Sequence, residues 1–385
     1  MPLLTRIGLV VAVVSATACQ APTAPMDESD VPGGRILVTN GLAGGERLVA
    51  LADAATACGA PELWLRAGPV WRQSATGAAF GEPPCALLTA ALSADGTTLA
   101  VHDFSAGRAE IHTIGPDGFS LSGTAAIEGP LGSRFPPPGA NVALSGDGSR
   151  LLLGSINRGC RFPAPGERYC GVAVLFERRG DGWRRAAVLL PPEEDGATRF
   201  GQSVALSADG TLAVVGGTGV PGSAGRLWVY RLDGDPPQAR QSLTAPRAEP
   251  EFGSDLSLAR DGSWLAVSGE QSVHLFAREG DAFAWRKSLT PPDTSVGYFG
   301  DTVALSGDGR LLLVGAPRTA CAEGDVCGAA FLYGLGGEWS LARVIRPETN
   351  AADANFGHHL ALSGDGTHAA VQGSVIHVFT LRPGS

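Results

Sequence analysis

The chain has 385 residues, 44% of them hydrophobic, and a formal charge of −9 at neutral pH. That apolar content excludes a disordered chain, and the acidic balance argues against a nucleic-acid or anionic-lipid surface, which needs basic patches. The length fits two average domains or one large all-β domain, and the 54 Gly and 27 Pro fall between apolar runs, as turn residues do.

The chain opens with MPLLTRIGLVVAVVSATAC: one positive charge at Arg6, an apolar run, then small residues ending at Cys19. This pattern predicts a secretory signal over residues 1–18, too short to span a bilayer as a mature helix. The segment Ala16-Thr17-Ala18-Cys19 resembles a bacterial lipoprotein signal box, which implies a lipid on Cys19 and a membrane partner through that lipid. Gln20 follows rather than Asp, and in that setting this implies the outer membrane of the cell envelope. Residues 19–34 are polar and Pro-rich and read as a flexible tether, leaving 35–385 as the folded domain. With Cys19 modified, Cys58, Cys85, Cys160, Cys170, Cys321 and Cys327 remain, an even number that reads as disulfides in an exported protein. Locality favours Cys160–Cys170 and Cys321–Cys327, with Cys58–Cys85 left over.

The first folded unit runs ILVTN, RLVALA, ELWLRA and VWRQSA, four apolar runs without an Asp-Gly turn. From residue 91 on, a core returns six times: ALSADGTTLAV, ALSGDGSRLLLGS, ALSADGTLAVVGG, SLARDGSWLAVSG, ALSGDGRLLLVGA and ALSGDGTHAAVQG. Its Asp residues are Asp95, Asp147, Asp209, Asp261, Asp308 and Asp365. The fullest unit adds GAAFLYG and WSLARVI, which makes four strand-length runs separated by turns. Four strands per unit, with units in series, predict an all-β fold: a seven-bladed β-propeller of four-stranded antiparallel blades, preceded by the signal peptide and short tether. The last unit is one strand short, so the N-terminal strand near Arg35 to Asn40 is expected to take part in closing the ring.

Phe-Gly precedes the core at Phe200-Gly201, Phe252-Gly253, Phe299-Gly300 and Phe356-Gly357, and Gly315-Ala316-Pro317 follows it in one unit. These motifs resemble the FG-GAP repeats of integrin-α-like propellers, in the bacterial subgroup. Blades of that family often carry a DxDxDG calcium loop. Here the matching positions in one unit are Ala304, Ser306 and Asp308, too few oxygens for calcium. The repeated Asp therefore reads as a turn residue: Gly supplies φ > 0 and the carboxylate bonds nearby backbone N–H groups. No metal or other cofactor is implied. Trp71, Trp183, Trp285 and Trp339 open fourth strands, with Phe119 in the same place, and read as inter-blade packing.

Strand parity puts every Asp-Gly turn on one face and the irregular loops on the other. The loop-rich rim carries Arg158, Arg161, Arg168 and Tyr169, then Glu193 and Asp195, then Arg318, Glu323 and Asp325. Variable loops on a rigid scaffold are where specificity lives. The seven His residues are scattered on strands, and no GxSxG elbow or HExxH helix appears in a fitting context. The expected function is a surface-anchored, non-enzymatic lipoprotein that binds protein or polysaccharide through this rim. The alternative is an extracellular hydrolase or lyase acting on glycans or peptides at the propeller mouth.

Overall fold

A computed structural model describes residues 28–31, 42–43, 47–51, 61–67, 70–76, 88–103, 107–115, 118–127, 142–156, 171–192, 199–220, 222–320, 326–347, 356–373 and 376–381. The strands pair into four-stranded antiparallel sheets. Blade 1 comprises Leu88–Leu92, Thr98–Asp103, Arg108–Gly115 and Gly118–Ala126. Blade 2 comprises Val142–Leu144, Arg150–Ser155, Val172–Arg179 and Gly182–Leu189, and blade 3 Ser203–Leu206, Leu212–Gly217, Arg226–Arg231 and Gln238–Leu243. Blade 4 runs Leu256–Leu258, Trp264–Gly269, Ser272–Glu279 and Ala282–Leu289; blade 5 runs Val303–Leu305, Leu311–Ala316, Ala329–Leu335 and Trp339–Ile345. Blade 6 takes Leu360–Leu362, His368–Gln372 and Ile376–Thr380 from the chain's end and Glu28–Val31 from its start.

The expectation of seven blades is corrected to six blades of the repeat type. The remaining sheet, Leu42–Ala43, Arg47–Leu51, Pro61–Ala67 and Val70–Thr76, opens on a two-residue strand and lacks the Asp-Gly turn. Closure is also corrected. The strand that completes blade 6 is Glu28–Val31, inside the segment read as tether, with Glu28 opposite Phe379 and Val31 opposite Ile376. Arg35 to Asn40, the signal segment 1–18 and Cys19 lie outside the described residues. Among the described residues no helix is long and apolar enough to cross a membrane.

The Asp-Gly turn has a repeated internal logic. Ser306 Oγ donates to Asp308 Oδ1 at 2.6 Å, while the Arg310 N–H donates to the same oxygen at 3.0 Å. The Leu311 N–H donates in turn to Ser306 Oγ at 2.9 Å. Gly309 follows at φ 65°, the left-handed region that glycine enters at no steric cost. The same bonds recur around Asp95, Asp147, Asp209 and Asp365. In blade 4 Ala259 stands where the serine should be, and Asp261 keeps the Ser263 N–H at 2.9 Å. The carboxylate is thus turned inward onto donors of its own turn.

The residue between Ser and Asp does something the motif does not announce. The Ala94 N–H donates to the Gly146 carbonyl, Gly146 to Ala208, Ala208 to Arg260, Arg260 to Gly307 and Gly307 to Gly364, at 2.8 to 3.0 Å. A backbone chain of hydrogen bonds therefore links turn to turn around the axis, where the short first strands of adjacent blades lie side by side. Most of its members are Ala or Gly because there is no room: a Cβ on Gly307 would stand 2.6 Å from the Gly364 carbonyl oxygen, and one on Gly146 2.9 Å from Ala208 Cβ. Arg260 lays its guanidinium across this ring, and burial pushes its pKa down against the opposing pull of Asp365.

The Phe-Gly pairs wedge the blades apart at the right spacing. Phe200, Phe252, Phe299 and Phe356 are fully buried, each in the cluster shared by two successive blades. Phe299 meets Phe331 edge-on with centroids 5.4 Å apart, and Phe200 meets Trp228 at 5.0 Å. The glycine that follows is needed for close approach: Gly357 has φ 88°, and a Cβ there would fall 2.3 Å from the Ala329 carbonyl oxygen. The second strands are covered on both faces, as their unbroken apolar runs predict: Leu312 and Val314 pack toward blade 4, Leu313 toward blade 6. The tryptophans divide. Trp339 is buried and meets Trp264 edge-on at 5.4 Å, and Trp183 packs on the face of blade 1 at Gly123. Trp285 is corrected: Phe283, opposite Arg278, holds the register of Trp183 opposite Arg178, and Trp285 stands two residues on, 48% exposed.

Candidate functional site

The antiparallel meander brings the Phe-Gly entries, the loops between second and third strands and the ends of fourth strands to one face. Of the residues expected to form its rim, Arg318 is described, and it is exposed at the end of the second strand of blade 5. Arg158, Arg161, Arg168, Tyr169, Glu193, Asp195, Glu323 and Asp325 lie outside the described residues. So do Cys58, Cys85, Cys160, Cys170 and Cys321. Cys327 is buried and disulfide-bonded, with its partner outside the described residues.

Between blades 4 and 5 this face carries a built feature. Among the described residues, Gln271 and Tyr298 are the non-glycine residues at positive φ, 54° and 57°. They belong to one arrangement. Gln271 occupies the tight loop between second and third strands of blade 4, and its Oε1 accepts the Phe299 N–H at 3.0 Å. Tyr298 turns the chain into blade 5 through a bond from the Asp301 N–H to its carbonyl at 3.1 Å, leaving its ring 60% exposed. Each left-handed residue costs on the order of 1 kcal/mol, the kind of strain that collects at functional surfaces. Beside them, Gly297 lies against Arg318, whose N–H donates to the Gly297 carbonyl at 3.3 Å. Asp301 accepts from His358 Nδ1 of blade 6 at 2.6 Å, with the imidazole 45% exposed and the carboxylate 14%.

A second polar group sits on the same face of blade 4. His274, 3% exposed, touches Glu249 Oε2 through Nε2 at 3.0 Å and Ser288 Oγ through Nδ1 at 2.8 Å. Ser272 Oγ donates to Glu249 Oε2 at 2.8 Å, and the Glu270 N–H reaches the same oxygen at 3.1 Å. Burial raises the Glu249 carboxyl, but the bonds from His274, Ser272 and Glu270 outweigh it and hold the pKa below the ordinary value. Neither group was visible as a motif. The same third-strand position holds Val174, Trp228 and Phe331 in blades 2, 3 and 5 and His377 in blade 6, so the histidine alone was no signal; what sets blade 4 apart is Glu249 and Ser288 on its two ring nitrogens.

Groups of three or more His, Cys, Asp or Glu placed to hold a metal are absent among the described residues. Arg318, Tyr298, Asp301 and His358 instead offer a cation, an aromatic face and a hydrogen-bonding pair to a ligand in solution.

No family model matches the chain, and no curated protein matches it in sequence. Solved structures place it among β-propellers. The β-propeller domain of Cps50 (Swd1) from Myceliophteria thermophila superposes with a TM-score of 0.62 at 12% identity, over 94% of this chain and 99% of that one. The periplasmic gluconolactonase PpgL of Pseudomonas aeruginosa superposes with a TM-score of 0.57 at 17% identity, over 88% and 92% of the two chains. A Lactobacillus plantarum protein gives 0.56 at 19% identity, over 81% and 85%. At such identities the likeness is one of fold, and a propeller serves both enzymes and scaffolds.

Proposed function

We propose that the protein is a binding propeller of the bacterial cell envelope, attached through a lipid on Cys19, which takes a protein or polysaccharide ligand on its loop-rich face. The observation that carries this reading is Tyr298: an aromatic ring, 60% exposed, on a left-handed backbone that Gln271 helps to fix from the neighbouring blade. A rigidly presented aromatic beside Arg318 suits stacking on a sugar ring or an aromatic side chain, with the arginine and the Asp301–His358 pair supplying polar contacts. On the opposite face, by contrast, the repeated Asp-Gly carboxylates are bonded within their own turns.

Glycan and peptide arrays probed with the intact protein test the reading. Ligands retained by wild type should be lost, about tenfold or more in affinity, in Tyr298→Gly and Arg318→Ala. Undiminished binding by the double variant would remove the face from consideration. Anchoring is tested separately, by fatty-acid labelling of wild type against Cys19→Ala; absence of label on wild type would refute it.

A further inference from the structure

We infer that blade 4 carries a serine hydrolase centre for small acyl esters, built from Ser288, His274 and Glu249. The proposal goes beyond ligand binding and does not depend on it.

With the imidazole neutral, the hydrogen bonds suit one placement of the protons. Glu249 accepts from Ser272 and from the Glu270 N–H, so it is the anionic end of the network. His274 Nε2, 3.0 Å from Glu249 Oε2, therefore carries the ring proton, which leaves Nδ1 as an acceptor. Trp285 Nε1 donates to Ser288 Oγ at 3.2 Å, so the serine's own proton is free to point at Nδ1, 2.8 Å away. A serine whose hydroxyl donates to an imidazole oriented by a carboxylate is the arrangement that activates oxygen as a nucleophile.

Blade 5 shows that the fold does not require these residues. The positions of Glu249, Gly269, Ser272, His274 and Ser288 are held there by Val296, Ala316, Ala329, Phe331 and Val344. Every member is apolar, and the blade packs as well. In blade 4 all are exchanged together. Gly269 belongs to the set by vacating space: a Cβ on it would lie 2.2 Å from Glu249 Oε2 and 2.9 Å from His274 Nε2. Phe252 still meets His274 edge-on at 5.4 Å, as Phe299 meets Phe331, so the imidazole keeps the aromatic's packing role while gaining a proton relay.

Access is consistent with a substrate of modest size. Ser288 is half-buried near the end of the outermost strand, and Trp285 beside it is exposed, an aromatic wall open to solvent. Ser288 Oγ would attack the acyl carbon while its proton moves to His274 Nδ1, and Glu249 balances the imidazolium. The indole N–H of Trp285, released from Oγ, is within reach of the carbonyl oxygen as charge develops there. Collapse breaks the ester bond, and the departing alkoxide takes the proton from Nδ1. Water then attacks the acyl-serine, gives a proton to Nδ1 and releases the acid as that proton returns to Ser288. The sum is ester plus water to acid plus alcohol.

A fluorophosphonate probe and p-nitrophenyl acetate, applied to the whole chain, test the centre. Peptide mass spectrometry should find the phosphonyl group on Ser288. Ser288→Ala should lose p-nitrophenyl acetate turnover by about 100-fold or more while the chain stays folded by circular dichroism. His274→Phe, which restores the blade 5 residue, should abolish labelling; Ser288→Ala removes a single oxygen and keeps the test valid should the phenylalanine misfold. Folded protein whose Ser288 stays unlabelled, or a Ser288→Ala variant that hydrolyses at the wild-type rate, would overturn the proposal.

Discussion

The two faces of the propeller follow different rules. On one, the same turn is built repeatedly: a buried serine, an inward-facing carboxylate, a left-handed glycine and a backbone bond to the next blade. On the other, blades 4 and 5, adjacent and nearly superimposable in strand order, share scarcely one polar residue. Repetition marks positions whose role is set by the ring, and departure from the repeat marks positions free to take on chemistry.

That contrast can be broken most forcefully at the seam where both faces depend on the same backbone. Gly357→Val should be the most damaging change, above about 3 kcal/mol, because φ is 88° and the Ala329 carbonyl oxygen stands 2.3 Å from the new Cβ. Chemical denaturation reads it. Phe252→Ala, which leaves a void between blades 3 and 4, should cost about 3–5 kcal/mol and disturb His274 through the lost ring contact.

Asp209→Ala should cost about 1 kcal/mol, since it removes bonds from Ser207 and Thr211 in an exposed turn. Acid should act on the same face. Burial raises the carboxyls of Asp95, Asp147, Asp209 and Asp365, but the hydroxyl and N–H donors of each turn outweigh it and hold them below the usual range. Depressed folded pKa values mean stability that is present above the unfolded value of about 3.9 and is lost as pH falls through the folded values. Melting temperature should therefore drop steeply below that point, and less steeply in Asp209→Ala. The smallest effect belongs to the loop-rich face: Tyr298→Gly should leave stability within about 0.5 kcal/mol, relief of strain offsetting glycine's added freedom, while ligand binding is lost.

Much of the ring was legible because its demands are local. The Asp-Gly turns, the Phe-Gly entries and the alternating apolar strands each carry their reason within a few residues. What escaped was decided by distant partners. Glu28–Val31 reads as tether because ESDV is polar, and becomes a strand only because blade 6 offers an unpaired edge at Ile376–Thr380. Trp285 reads like Trp183 and Trp339 until pairing shows Phe283 in that place. Glu249 and Ser288 stand far from His274 in sequence, so their meeting depends on strand register and on a connection between blades. The leading sheet shows the same limit: apolar runs of strand length suggested a blade equal to the others, and its two-residue first strand departs from that.

The chain of N–H to carbonyl bonds from Ala94 to Gly364 runs in a single sense around the axis. Its five links act in series, and one can open while the others hold. Amide hydrogen exchange can follow this directly: the protons of Ala94, Gly146, Ala208, Arg260 and Gly307 each report one junction between neighbouring blades. A ring that breathes at a single seam would release one of these protons and spare the others. Global unfolding would release them all together, so five amides on half-buried turns can tell a propeller that opens from one that melts.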